Sequence, residues 1–287
     1  MRKSSLLWAI LFISCANSSS QDHILFSFPN ELKEVSGITK DLKSDLIWTI
    51  EDSGNENIIY GLDTSGNIKK NIKISNLENN DWEDLTGDKE GNLYVGDFGN
   101  NKNARKDLAI YKVAADSLNS EITNYSYKVS FYYPEQTEFP PKKSNYIYDC
   151  ESFFEFNNNF YLFTKNRSKN FDGTTLLYKV PNKAGNHKAV LMGKFKTCGT
   201  YSTCAITSAA ISPDHKKVVL LGHNQVWMFE DFKNDDFFNG KLSTLKLANY
   251  SQKEGLCFKD NATIYISDEK TKKIGGNLYQ YVLDDLK

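Results

Sequence analysis

The sequence predicts an all-β chain folded as a five-bladed β-propeller, and three observations predict it. Five short segments resemble one another: Glu34-Val-Ser36-Gly37-Ile38, Asp81-Trp82-Glu83-Asp84-Leu85, Asp149-Cys150-Glu151-Ser152-Phe153, Ile206-Thr207-Ser208-Ala209-Ala210 and Gln252-Lys253-Glu254-Gly255-Leu256. Their third positions are separated by 47, 68, 57 and 46 residues, a spacing typical of propeller blades. Short apolar runs broken by turn residues fill each interval, and helix signals are almost absent.

Each opening segment reads as the first strand of a blade. A second run follows about 10 residues later, at 46–50, 93–95, 160–163, 218–221 and 263–266. Turn chemistry separates the two, as in Lys89-Glu90-Gly91-Asn92 and Ser212-Pro213-Asp214. Third runs lie at 58–62, 108–113, 176–180, 226–229 and 278–282, and fourth strands at 72–74, 126–132, 189–195 and 242–247. The last unit lacks a fourth strand. Residues 23–28 are expected to supply it, which ties the termini together and removes an exposed sheet edge. The long second unit, with Pro134, Pro140 and Pro141, reads as an insertion loop up to Tyr148. A sixth blade hidden there is the alternative.

The N-terminus reads as a targeting segment. Arg2 and Lys3 precede an apolar run, 6–13, that is far shorter than the roughly 20 residues of a spanning helix. The run ends Phe12-Ile13-Ser14-Cys15, which resembles the lipobox of bacterial lipoproteins. On that resemblance 1–14 is a signal peptide, Cys15 is the lipidated mature N-terminus, 15–22 is a tether and 23–287 is one propeller domain. Ala16 after the cysteine implies sorting to the outer membrane. An ordinary cleaved signal peptide is the alternative, and both imply export to the cell envelope.

A formal charge of -1 gives no broad basic face for nucleic acid. The 16 Tyr and 18 Phe spread along the chain exclude general disorder. Cys198 and Cys204 are spaced to close a small disulfide loop, while Cys150 and Cys257 read as buried thiols. No C-x-x-C pair, G-x-S-x-G, H-E-x-x-H or phosphate loop is present.

The third positions form a column: Ser36, Glu83, Glu151, Ser208 and Glu254. All five side chains offer oxygen, and first strands line the propeller axis. Three carboxylates converging there at ~6 Å and an effective dielectric of ~20 would repel by about 3 kcal/mol per pair. A hard cation removes that cost, and an all-oxygen set favours calcium over zinc. Bonds to backbone amides or to ordered water are the other way to satisfy such glutamates.

The residues just past the second strands share the rim with this column: Asp52, Asp97, Lys165, His223 and Asp268. Asp52 and Asp97 open similar Asp-x-Gly-Asn loops and, with Asp268, are candidates to orient a water. The chain has three arginines against 32 lysines. Apart from Arg2, these are Arg105 and Arg167, both in loops after a second strand. The planar guanidinium fork suits carboxylate or phosphate. Arg105, Arg167, Lys165 and His223 are therefore candidates for binding a small anionic ligand or phosphorylated substrate.

The ordered set Ser36, Glu83, Glu151, Ser208 and Glu254 resembles the five-bladed calcium-dependent apyrases (calcium-activated nucleotidases). Glu254-Gly255-Leu256 and the Ser208–Pro213 spacing are further local matches. That resemblance implies one Ca2+ on the axis held by these five residues, and a calcium-dependent hydrolase of phosphorylated small molecules such as nucleotides. The chain also looks like bacterial lipoprotein propellers of the SdiA-regulated type. A non-catalytic binding module with a structural calcium is the alternative function.

Overall fold

The computed structural model describes residues 23–41, 43–272 and 274–286. The expected signal peptide and tether, 1–22, with lipidation at Cys15, lie outside the described residues. Five antiparallel four-stranded blades form a ring. Blade 1 comprises Val35–Lys40, Ile47–Glu51, Ile58–Leu62 and Ile68–Ile74. Blade 2 comprises Trp82–Gly87, Leu93–Asp97, Ala109–Val113 and Tyr127–Tyr132. Asp149–Phe156, Asn159–Lys165, Thr174–Pro181 and Val190–Lys196 make blade 3. Ser208–Ile211, Lys217–Leu221, Gln225–Glu230 and Lys241–Lys246 make blade 4. Blade 5 holds Lys253–Phe258, Thr263–Asp268 and Asn277–Val282, and the N-terminal strand Ile24–Ser27 completes it against Asn277–Val282. The expected closure is thus realised.

Radial position explains the strand sequences. Inner and second strands are covered on both faces, so Ile47–Glu51 and Leu93–Asp97 are buried throughout. Outer strands face solvent on one side, so Val190–Lys196 alternates strictly between exposed and half-buried. The first strands touch in the order 1-2-3-4-5-1 and surround the axis. One hydrophobic cluster fills each interface between neighbouring blades, for example Trp48, Ile50 and Ile72 against Trp82 and Val95. Between blades 3 and 4, Phe154 stacks on Tyr161 and Phe237 meets both edge-on, with ring centroids 5.0 to 5.6 Å apart.

The insertion before Tyr148 contains no sixth blade. Its short 3-10 turn, Lys143–Asn145, is the one regular element between Tyr132 and Asp149. Buried Asn103, at φ 49°, stitches the loop down: its side-chain oxygen accepts from the Tyr148 amide, and its carbonyl accepts from Gln136. Two edge strands were not expected. Ile122–Thr123 runs parallel to the outer strand of blade 1, and Gly185–Lys188 runs parallel to that of blade 2. Each covers a sheet edge that would otherwise offer unpaired amides. Cys198 and Cys204 form a disulfide around a single helical turn, Tyr201–Cys204. Cys150 and Cys257 are buried free thiols.

Candidate functional site

The column residues occupy β-bulges. In blade 2, Trp82 and Asp84 pair with the consecutive residues Asp97 and Gly96, leaving Glu83 as the extra residue. Glu151 is skipped in the same way between Cys150 and Ser152, and Glu254 between Lys253 and Gly255. In blade 1 the shift spans Ser36 and Gly37. A bulge bends the strand and re-aims the extra side chain. Ser208 instead opens its strand and pairs regularly with Leu221.

Glycine and short side chains let the inner strands approach closely around this ring. A Cβ on Gly37 would lie 2.2 Å from the Leu85 amide nitrogen, and one on Gly255 would lie 2.5 Å from the Ser36 carbonyl. Ser36 donates its hydroxyl hydrogen to the Glu83 carbonyl. Asp84 accepts from the Phe153 amide at 3.0 Å, linking blades 2 and 3.

The glutamates of the column do come together. Carboxylate oxygens of Glu83, Asp149 and Glu151 all lie within 4.8 Å of one another, and so do those of Asp52, Asp81 and Glu83. Glu83 is the corner shared by both triads. Asp81 and Asp149 were missed as site residues. The signal was the repeated Asp-x-Glu, because residues two apart on a strand share a face. Gly99 makes room for the Asp52–Asp81–Glu83 triad: a Cβ there would fall 2.1 Å from Glu83 Oε1 and 2.5 Å from Asp81 Oδ2.

Two internal cations enter the same mouth from blade 3. Lys165 donates to Glu151 Oε2 at 2.9 Å and lies 3.9 Å from Glu254 Oε2. Arg167 donates through Nε to Asp149 and through Nη2 to Glu151 Oε1 at 2.5 Å. Glu151 is buried, which alone would raise its pKa, but Lys165 and Arg167 overcome burial and hold it at about 2. The other carboxyls move the opposite way. Burial, then the charges of Glu151 and Asp149, pushes Glu83 well up. Burial and then Glu151 also raise Asp149, although Arg167 opposes them. Asp52 rises to about 6, through burial first and then repulsion by Asp81 and Glu151. Glu254 rises to about 7, burial outweighing Lys165, and Glu269 to about 8, from burial and then Glu254.

The remaining rim residues divide by their partners. Asp97 accepts from the Asp81 amide, Asn80 and Arg105, and Asp268 from the Asn277 amide and Tyr279, so both oxygens of each are engaged. They hold loops, and of the three candidate water-orienting aspartates Asp52 is the one that joins a triad. Arg105 spends its fork on Asp97, Asp107 and the Gly99 carbonyl, so it clamps its own loop instead of presenting a free fork to an anion. Burial, reinforced by Lys165 and Lys253, lowers His223 to about 4. It is therefore neutral at neutral pH and offers an anion no charge.

The opposite end of the axis carries a cavity of about 640 Å³ lined by the far ends of the inner strands, including Lys40, Gly87, Glu155, Ile211 and Phe258. None of the predicted site residues lines it, so the converging charges lie at the other end of the axis from this cavity.

No family model and no curated protein matches the chain. Among solved structures it is similar to a chain in the crystal structure of a nidogen/laminin complex. The two are 11% identical over 89% of this chain and 78% of that chain, with a TM-score of 0.51. It is also similar to the β-propeller domain of Myceliophteria thermophila Cps50 (Swd1), 10% identical over 91% of this chain and 99% of that chain, with a TM-score of 0.47. Likeness at such identity bears on fold alone. The blade count rests on the five sheets themselves, and the chain is a five-bladed β-propeller.

Proposed function

We propose that the protein is a calcium-binding β-propeller of the cell envelope, lipid-anchored through Cys15 at the outer membrane, whose acidic axial mouth holds Ca2+ and receives a small anionic ligand. The observation that carries this reading is the charge balance of the mouth. Six carboxylates, Asp52, Asp81, Glu83, Asp149, Glu151 and Glu254, face two cations paired with them, Lys165 and Arg167, and a third near Asp81, Arg105, that is itself paired with Asp97 and Asp107. A divalent ion removes the remaining repulsion.

The donors fit calcium, since every one is oxygen and the spacing within each triad suits a cation with long metal–oxygen distances. The ligand set differs from the five-residue column. Glu151 and Glu254 are already offset by Lys165. Asp52, Asp81 and Glu83, away from the ammonium, are the residues that would hold the ion. Ser208 Oγ is buried with no hydrogen-bond partner among the described residues, which agrees with a polar axis that a ligand completes.

Hydrolysis of a phosphorylated small molecule such as a nucleotide is the second reading, and Asp52 favours it. This partly exposed carboxyl stands at the edge of its triad, where it is suited to orient a water beside a bound ion. A bound calcium would supply polarisation of a phosphoryl oxygen. Phosphate release from a nucleotide panel, with calcium and with chelator, decides between the readings. Calcium-dependent release lost in Asp52→Asn and Glu151→Gln establishes the hydrolase. Calcium binding without release leaves the binding module.

A further inference from the structure

Beside the acidic mouth lies a hollow of about 650 Å³ lined by Asn101, Lys143, Tyr146, Arg167, Lys169 and Tyr201. Its lining contains three cations, two phenols and an amide, and no carboxylate. That composition is the reverse of the mouth next to it, and Arg167 stands in the wall between them. On one side its guanidinium holds Asp149 and Glu151; on the other, Nη1 donates to the Tyr201 hydroxyl at 3.2 Å.

The hollow is built by chain segments that are held in place. The Arg167 amide donates to the Tyr146 carbonyl at 2.7 Å, and the Lys169 amide to the Lys143 carbonyl at 3.0 Å. These bonds join the insertion loop to the loop after the second strand of blade 3, so both lysines project from a paired backbone. Tyr201 lies inside the six-residue span closed by Cys198 and Cys204, and packs edge-on against Phe171 at 5.3 Å. Neither Lys143 nor Lys169 has an ion-pair partner among the described residues. The Arg167 charge is largely offset by the carboxylates behind it, so the two lysines set the net charge of the hollow.

We infer that this hollow binds the phosphate or pyrophosphate group of a small soluble molecule, with Lys143 and Lys169 supplying charge and the Tyr146 and Tyr201 hydroxyls donating hydrogen bonds. Unpaired ammonium groups with neighbouring hydroxyl donors match a multiply charged oxyanion better than a single carboxylate. Such a ligand would approach the acidic mouth from the side where Arg167 holds Asp149 and Glu151. The inference therefore supplies the ligand class for the proposed function and rests on that reading for its biological meaning. It also replaces the sequence-based anion set of Arg105, Arg167, Lys165 and His223, of which Arg167 alone lines the hollow.

The test uses inorganic pyrophosphate as the probe in chelator, so that it does not depend on calcium. Titration calorimetry at low salt is run on the whole chain, on Lys143→Ala/Lys169→Ala and on a control carrying Lys183→Ala/Lys241→Ala, two exposed lysines elsewhere. All three are checked for the same melting temperature. The expected result is saturable binding to wild type and control, weakened at least tenfold in the Lys143/Lys169 variant and by added salt. Equal binding by all three proteins, or no binding by any, overturns the inference. Calcium titrated separately reports on the mouth, so failure of the cation reading and failure of the anion site are distinguishable.

Discussion

Lys165 places its ammonium 2.9 Å from Glu151 Oε2 and 3.9 Å from Glu254 Oε2, bridging two glutamates of the axial column with a cation of the chain itself. This contact divides the mouth into a sector neutralised by Lys165 and Arg167, on blades 3 and 5, and a sector on blades 1 and 2 whose nearby cation, Arg105, is already paired with Asp97 and Asp107. Removing one partner of a buried pair typically costs about 3–5 kcal/mol. Lys165→Met is thus expected to lower the melting temperature by roughly 10 °C in chelator. Calcium is expected to stabilise this variant more than wild type, because the released oxygens of Glu151 and Glu254 can then bind the ion. Differential scanning calorimetry with and without calcium measures both effects. An unchanged melting temperature in chelator would show that the bridge does not hold the mouth together.

Gly99 gives a test of geometry without a change of charge. An alanine methyl would overlap Glu83 Oε1 and the Asp81 carboxylate, while the neighbouring blade cores are untouched. Gly99→Ala is expected to weaken calcium at least tenfold and to shift the calcium-free melting temperature by only a few degrees. Calcium affinity equal to wild type would place the ion outside the Asp52–Asp81–Glu83 triad.

The pH dependence follows from the raised carboxyls. Asp52, Glu254 and Glu269 bind protons more tightly folded than unfolded, with pKa values of about 6, 7 and 8. The folded state therefore holds more protons in this window, and the stability they contribute is lost as pH rises. Glu151, His223 and Lys253 act in the opposite sense: the window of Glu151 lies between its unfolded value and about 2, that of Lys253 lies above about 8, and that of His223, below about 6.5, is outweighed by the three carboxyls. In chelator the melting temperature is expected to fall between pH 5 and pH 8.5. Calcium is expected to reverse the fall and to bind more tightly at the upper end. Thermal melts across that range check both expectations. A calcium-free melting temperature that climbs steadily toward pH 8.5 would contradict the assignment.

The Cys198–Cys204 bridge closes a short loop and is worth only ~2 kcal/mol in the chain-entropy model. Cys198→Ser/Cys204→Ser is expected to lower the melting temperature by about 4–6 °C and to leave calcium binding unchanged. Loss of calcium binding in this variant would couple the Tyr201 turn to the ion.

Strand positions and blade count were legible because each strand carries its own apolar pattern, and the closing strand was legible because 278–282 lacked a partner. The edge strands Ile122–Thr123 and Gly185–Lys188 were not, being short, partly polar and paired to distant segments. At the site, the column marked the bulges because each bulge recurs at the same repeat position. Its pairing was hidden for a different reason. Nothing local in Lys165 tells that its ammonium turns inward to Glu151, and nothing local in Asp97 or Asp268 tells that loop amides and tyrosine occupy their oxygens. Each of these pairs lies within one blade, and depends on how the strands and loop between its members fold rather than on residue type. Asp81 and Asp149 were readable from their spacing to Glu83 and Glu151, but a strand bulge had to be known before that spacing pointed to the axis.

Glu83 belongs to both carboxylate triads, so it gives the most direct test of the cation reading. Calcium is titrated by calorimetry into chelator-stripped wild type and Glu83→Gln at pH 8. The expected result is saturable binding by wild type, weakened at least tenfold in Glu83→Gln. No binding to wild type, or equal binding to both proteins, would contradict it.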